Sequence, residues 1–173
     1  MKILDNIETW YEDYCNTWLD NFNQNGKVDW KIYPLAENSS SPNGSGVDIS
    51  ISRLLFISSA GGYHKDNQKP FDAANDLGDY SIRTFPLNTP FEKIDYAHDH
   101  YDQTNIKKDP QVLIPLKHLE NLVNKGKIGD VASTVINFMG YQPNVKKVVE
   151  EMIPEILELA VSERVDSALL VPS

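Results

Sequence analysis

The sequence predicts an α/β fold: a mainly parallel sheet with helices on both faces, Rossmann-like in its layering, behind an N-terminal amphipathic helix. Two patterns carry this. A short apolar run with no polar alternation, Leu54 to Ile57, suits a strand buried on both faces, and VDSALLVPS (165–173) holds a further apolar strand. Between such runs lie stretches with apolar residues three, four and seven apart, the period of a helix packed by one side. Strands alternating with helices in this way form layers with right-handed crossovers. The 173 residues fit one structural domain overall, with residues 1–48 as N-terminal helix and flexible loop and 49–173 as the α/β body.

Each element has its own warrant. Over residues 3–22, Ile3, Ile7, Trp10, Tyr11, Tyr14, Trp18, Leu19 and Phe22 fall at helical spacing, and Gly26 suits the helix end. The aromatic stripe either packs onto the protein's own core or meets a second copy. ENSSSPNGSG (37–46) is a run of turn formers. RLLFISSAGGYH (53–64) is a strand ending in small residues, and IRTFPL (82–87) a weaker strand. Residues 111–129 pass from an apolar segment into a helix ended by Gly126, and STVINFMGY (133–141) is a further strand. Residues 143–163 form the clearest helix, with Pro143 at a first-turn position and Pro154 expected to kink it. A strand at 167–171 follows.

Composition excludes several classes. A net charge of −9 with scattered lysines and arginines disfavours nucleic acid or an anionic membrane as partner. No run approaches the ~18 apolar residues of a membrane helix. The first residues lack the apolar centre of a signal peptide, so a cytoplasmic protein is expected. With one cysteine, Cys15, neither an intrachain disulfide nor a Cys-rich zinc site can form. Cys15 reads as a small hydrophobe of the first helix.

In sheets of this kind the ligand crevice lies beyond the carboxyl ends of the strands, which directs attention to SSAGGYH, NFMGY and LLVPS. Gly61 and Gly62 would let backbone N–H groups approach an anion, or simply make a tight turn. His64 and Asp72 stand in and before the long polar loop behind them. YAHDHYDQTN (96–105) concentrates His98, Asp99, His100 and Asp102, flanked by Tyr96 and Tyr101. On spacing alone three readings stay open: an acid/base or substrate-contacting cluster, a metal site built from His98, His100 and Asp102, or a hydrogen-bonded loop.

GGYHKDNQKPFD (61–72), GDYSIRTFP (78–86), HDHYDQTN (98–105), LIPLKHLENLVNKGKIG (113–129), FMGYQPN (138–144) and VDSALLVPS (165–173) occur in that order. Together, from about residue 50 onward, they resemble the selenoprotein B family of glycine, sarcosine, betaine and D-proline reductases. The resemblance implies reductive cleavage of a carbon–nitrogen bond in an amino acid or N-methylated amine. A selenocysteine or cysteine attacks the substrate carbon, and thiols or a partner reductase subunit regenerate it. That residue comes directly after the strand written here as SALLVPS. It is therefore expected after Ser173, with a UGA codon there meant for selenocysteine, and this chain itself is expected to hold no cofactor and no bound metal.

The expected site has His98, Asp99, His100 and Asp102 as its acid/base cluster. Gly61, Gly62, His64, Asp72, Tyr101, Met139 and Gly140 are its substrate contacts. The alternatives are a non-catalytic subunit that binds a partner or a second copy through the aromatic helix, and a metallohydrolase built on the histidine cluster.

Overall fold

The computed structural model describes residues 4–38, 45–97 and 103–173. The described strands are β1 (Arg53–Ser58), β2 (Gly62–His64), β3 (Arg83–Pro86), β4 (Ile94–Tyr96), β5 (Asp130–Asn137) and β6 (Ser167–Val171). The helices are α1 (Ile7–Tyr14), α2 (Asp20–Asn25), α3 (Thr104–Lys108), α4 (Leu116–Asn124), α5 (Val145–Lys147) and α6 (Ile153–Ser162).

Four strands form one sheet in the order β3-β5-β1-β6. β1 runs parallel to both β5 and β6, while β3 joins the edge antiparallel to β5. The sheet is thus mixed and mostly parallel. β2 and β4 make a separate antiparallel ribbon. The unbroken apolar run of β1 takes the central position because both of its faces are covered. Leu54 and Phe56 pack with Leu116 and Leu119 of α4 and with Ile94 of the ribbon. Leu55 and Ile57 face Ile156, Leu159 and Ala160 of α6.

Register is regular except between Leu54, opposite Val131, and Phe56, opposite Val135. The intervening residues of β5 bulge away from β1, which releases Ser133 N–H to donate to Glu163 Oε2 (3.2 Å) instead of to the ladder.

The N-terminal arm is helical from α1 through a π turn, Cys15–Leu19, to α2. Gly26 ends it with φ +62°, its N–H donating to Phe22 O (2.7 Å). Trp10, Tyr14 and Trp18 are buried. They stack in series at centroid distances of 5.1 and 5.4 Å, and Tyr33 meets Trp10, Tyr14 and Trp18 edge-on. Leu77 and Val145 pack against the same group. These three rings are used in the chain's own packing.

The long C-terminal helix differs in detail from its expected form. Asn144 is the N-cap, its side-chain oxygen accepting from Lys147 N–H (3.2 Å), so Pro143 stands one residue ahead of the cap and not in the first turn. A π turn, Val148–Met152, precedes α6, and Pro154 is the second residue of α6. The helix absorbs the proline's missing N–H by locally widening its turn.

Candidate functional site

The three parallel strands end together, and the residues that follow them interlock. Phe138 N–H donates to Ser58 O (3.1 Å), Ser59 N–H to Val171 O (3.1 Å) and Gly61 N–H to Phe138 O (3.0 Å). Ala60 and Met139 form an antiparallel bridge. Ser173 closes the group: its N–H donates to Ser59 Oγ (2.9 Å) and its hydroxyl to Ser59 O (3.0 Å). Gly140 lies beside this pair, its ideal Cβ position 3.5 Å from Ser59 Oγ and 3.6 Å from Ser173 Oγ. Ser59 is buried, whereas Gly140 and Ser173 are exposed, so the group opens to solvent on their side.

The two glycines are required by contact. Gly61 has φ +65°, and a Cβ there would stand 2.8 Å from Met139 Sδ. A Cβ on Gly62 would stand 2.6 Å from Asn137 Oδ1 and 3.0 Å from Ile114 Cδ1. Because Gly61 N–H is committed to Phe138 O, it is not available to cradle an anion, which corrects the expectation for that residue. What the diglycine provides is close approach of backbone to Met139 and Asn137.

Asn137 is the unexpected member. Strand register places Arg83, Asn137 and Ser58 side by side across β3, β5 and β1, one tier beyond Phe85, Val135 and Phe56. Asn137 is fully buried, and neither Nδ2 nor Oδ1 has a hydrogen-bond partner among the described residues. Leaving buried polar groups unpaired costs roughly 1–3 kcal/mol each. Its neighbours are already engaged. Ser58 Oγ donates to Leu113 O (3.2 Å) and accepts from Ala60 N–H (3.3 Å). Arg83 donates to Lys69 O (3.1 Å) and Ser81 Oγ (2.8 Å), with its guanidinium 4.5 Å from the Phe71 ring centroid.

Of the residues expected from sequence, Gly61, Gly62, Met139 and Gly140 come together here. His64 ends β2, two strand positions or roughly 7 Å beyond Gly62; its Nδ1 accepts from Asp66 N–H (3.4 Å). Asp72 is exposed in the turn leading to β3, its N–H donating to Asp79 Oδ2 (2.9 Å). His98, Asp99, His100, Tyr101 and Asp102 lie outside the described residues. The residue before them, Ala97, donates its N–H to Gly61 O (3.0 Å), and Gln103 Nε2 after them donates to Tyr96 O (3.4 Å). Both flanks of that segment therefore reach the diglycine end of the ribbon. Among the described residues no three His, Cys, Asp or Glu side chains gather to hold a metal.

A cavity of about 870 Å³ opens at the opposite end of the sheet, lined in part by Leu87, Phe91, Leu116, Val123, Arg53 and Asp130. Arg53 there is already paired with Asp130 and Glu163. The unpaired buried amide and the meeting of strand termini are at the carboxyl edge.

Ser58, Ser59, Asn137 and Ser173 lie within the strand-end stretches SSAGGYH, NFMGY and LLVPS that the sequence points to, but none of the four is singled out there. The available signal was Asn137 itself, a polar residue closing the otherwise apolar Val135–Ile136 run at a position whose period points into the core.

An α/β protein with a mixed, mostly parallel sheet is the class that the fold defines. The family model for glycine/sarcosine/betaine reductase selenoprotein B matches residues 32–173, and the chain belongs to that family. The match starts earlier than residue 50 and takes in the end of the N-terminal arm. D-proline reductase subunit gamma of Acetoanaerobium sticklandii is 33% identical over 116 residues, 67% of this chain and 47% of that relative. The chain thus spans about half the length of this curated relative. No solved structure matches it. Among the described residues, no helix is long and apolar enough to cross a membrane.

Proposed function

We propose that the chain is the selenoprotein B-type component of a cytoplasmic reductase that cleaves a carbon–nitrogen bond in an amino acid or N-methylated amine. Its nucleophile, a selenocysteine or cysteine, follows Ser173. Family membership over residues 32–173 is the observation that carries this reading. The mostly parallel sheet and the interlocked strand ends support placing the chemistry at the carboxyl edge. Ser173, held by two hydrogen bonds to Ser59, would deliver the following residue to the mouth beside Gly140.

In this reaction the selenolate or thiolate bonds to the substrate carbon as the C–N bond breaks, and the amine leaves with a proton. A thiol then takes the selenium or sulfur, releasing the carbon as C–H. A second thiol restores the nucleophile, so a disulfide is the oxidised product. The two thiols come from a small reductant or a partner subunit and supply the two electrons. His98, Asp99, His100 and Asp102 move the protons in this scheme. Gly61, Gly62, Met139 and Gly140 shape the pocket, with His64, Asp72 and Tyr101 completing the substrate contacts.

Sequencing the gene beyond the Ser173 codon tests the reading. An in-frame UGA or Cys codon followed by an open frame is expected. An ordinary stop with no continuing frame would overturn the reductase reading and leave a ligand-binding or partner subunit.

A further inference from the structure

We infer that the outer edge of β6 seats a second copy of this chain, the two β6 strands pairing antiparallel about a two-fold axis through Leu169. Two sheets then become one. The inference stands apart from the reductase reading and concerns how the protein assembles.

The two edges of the sheet differ. At β3 the edge strand holds Arg83 and Pro86, and Gln68 Nε2 donates to Thr84 O (2.7 Å). A charge, a proline and a covering side chain are the usual means of stopping strand addition. β6, with the sequence SALLV, has no charge and no proline, and no strand pairs with its outer side among the described residues. Val171 O accepts from Ser59 N–H (3.1 Å), so Ser167, Leu169 and Val171 turn their backbone groups to β1 by the alternation of a parallel ladder. Ala168 and Leu170 turn theirs outward. Both are exposed, Leu170 to 56%. Register puts them on the same face as Leu55 and Ile57, where the cluster under α6 takes in β1 and β5 but not β6. On α6 itself Leu157 and Val161, one turn apart, are 54% and 77% exposed.

What fits this edge is its own reverse. An axis through Leu169 sets Ala168 opposite Leu170 of the second copy, and Leu170 opposite its Ala168. These are the residues with outward backbone groups, so each pair exchanges both N–H···O bonds. The small side chain stands across from the large one, Ser167 meets Val171, and no like charges meet along the strand. The neighbouring registers are worse. An axis through Leu170 would oppose Ala168 with Pro172, which has no N–H to give, and one through Ala168 would oppose Leu170 with Asp166. The contact uses the same patch on both copies and closes as a dimer.

Light scattering of the full chain from low micromolar to near-millimolar concentration, with hydrogen exchange on the same samples, tests the inference. Twice the mass of one chain is expected at high concentration, with the Ala168 and Leu170 amides at least tenfold better protected there than in the dilute sample. Leu170→Lys, at an exposed site, and Ala168→Pro, which removes an outward N–H and no bond to β1, are each expected to weaken the dimer tenfold or more. Their circular dichroism should match the wild type; if a variant does not fold, the concentration dependence of the two amides decides alone. A single-chain mass at every concentration would overturn the inference. So would a dimer that either folded variant preserves, or one in which the two amides gain no protection. A monomer with both amides protected even when dilute would mean that the edge is covered from within the chain, which overturns it as well.

Discussion

Replacing Glu163 with glutamine tests how the amino end of the sheet is held. Glu163 follows α6 directly. Its Oε1 accepts from Thr134 Oγ1 (2.5 Å) and Ser133 Oγ (2.8 Å), and its Oε2 from Ser133 N–H (3.2 Å) and Arg53 Nη2 (3.1 Å). The Thr134 hydroxyl contributes most to holding the carboxyl down to about 2 from its ordinary 4.5, against the opposing effect of burial, with Ser133 and Arg53 adding to it. A folded value below the unfolded one means the ionised form stabilises the fold at any pH above ~4.5, and that stability drains away as pH falls towards ~2. The gap between the two values corresponds to about 3 kcal/mol at most. Solvent screening at the sheet's edge reduces it to about 1–2 kcal/mol. Glu163→Gln is therefore expected to lower the melting temperature at pH 7 by roughly 3–6 °C in a chain of this size. Urea melts of both proteins at pH 7, 5, 3.5 and 2.5 should show the gap shrinking towards zero on the acid side. An equal gap at every pH, or none at pH 7, would refute the argument.

Other outcomes follow from geometry already given. α4 and α6 both end in a turn with a left-handed residue, Gly126 (φ +63°) and Arg164 (φ +53°), each followed by a bond from the next N–H back to the helix. Arg164→Gly should add about 0.5–1 kcal/mol in urea denaturation, while Gly126→Ala, with open space around its Cβ, should lose about 1 kcal/mol from backbone strain alone. Trp10→Ala removes a buried ring and its Nε1–H bond to Pro34 O (2.9 Å), and should cost about 3–5 kcal/mol by the same measurement. His98→Ala is expected to abolish turnover in the full-length protein while leaving its circular dichroism and urea midpoint unchanged. Unchanged turnover would remove His98 from the mechanism.

The strands that sequence made legible are those whose burial leaves no choice. Leu54 to Ile57 must be covered on both faces, and only the middle of a sheet does that. The antiparallel direction of β3 was not legible, because IRTFPL carries no mark of orientation; the direction is set by a return loop that ends with Arg83 opposite Asn137. The diglycine was visible as a special place, but the reason differs from the expected one. The Gly61 N–H is spent on Phe138 O and does not await an anion; the missing side chains let β2 close over β5. Asn137 escaped notice because a lone polar residue at a strand end reads as a boundary. Only the register with Ser58 and Arg83 shows that it is inside.

The N-terminal arm leaves the ribosome first, yet it cannot be finished first. Tyr33 donates its hydroxyl to Pro143 O (2.8 Å) across 110 residues, and Lys146 reaches back to Glu8 (2.7 Å). At ~5–20 residues per second of synthesis, the stacked rings of Trp10, Tyr14 and Trp18 wait about 5–20 s for the segment that seals them. During that interval the nascent chain carries an exposed aromatic ladder, a natural landing point for a chaperone and the stretch most in need of one.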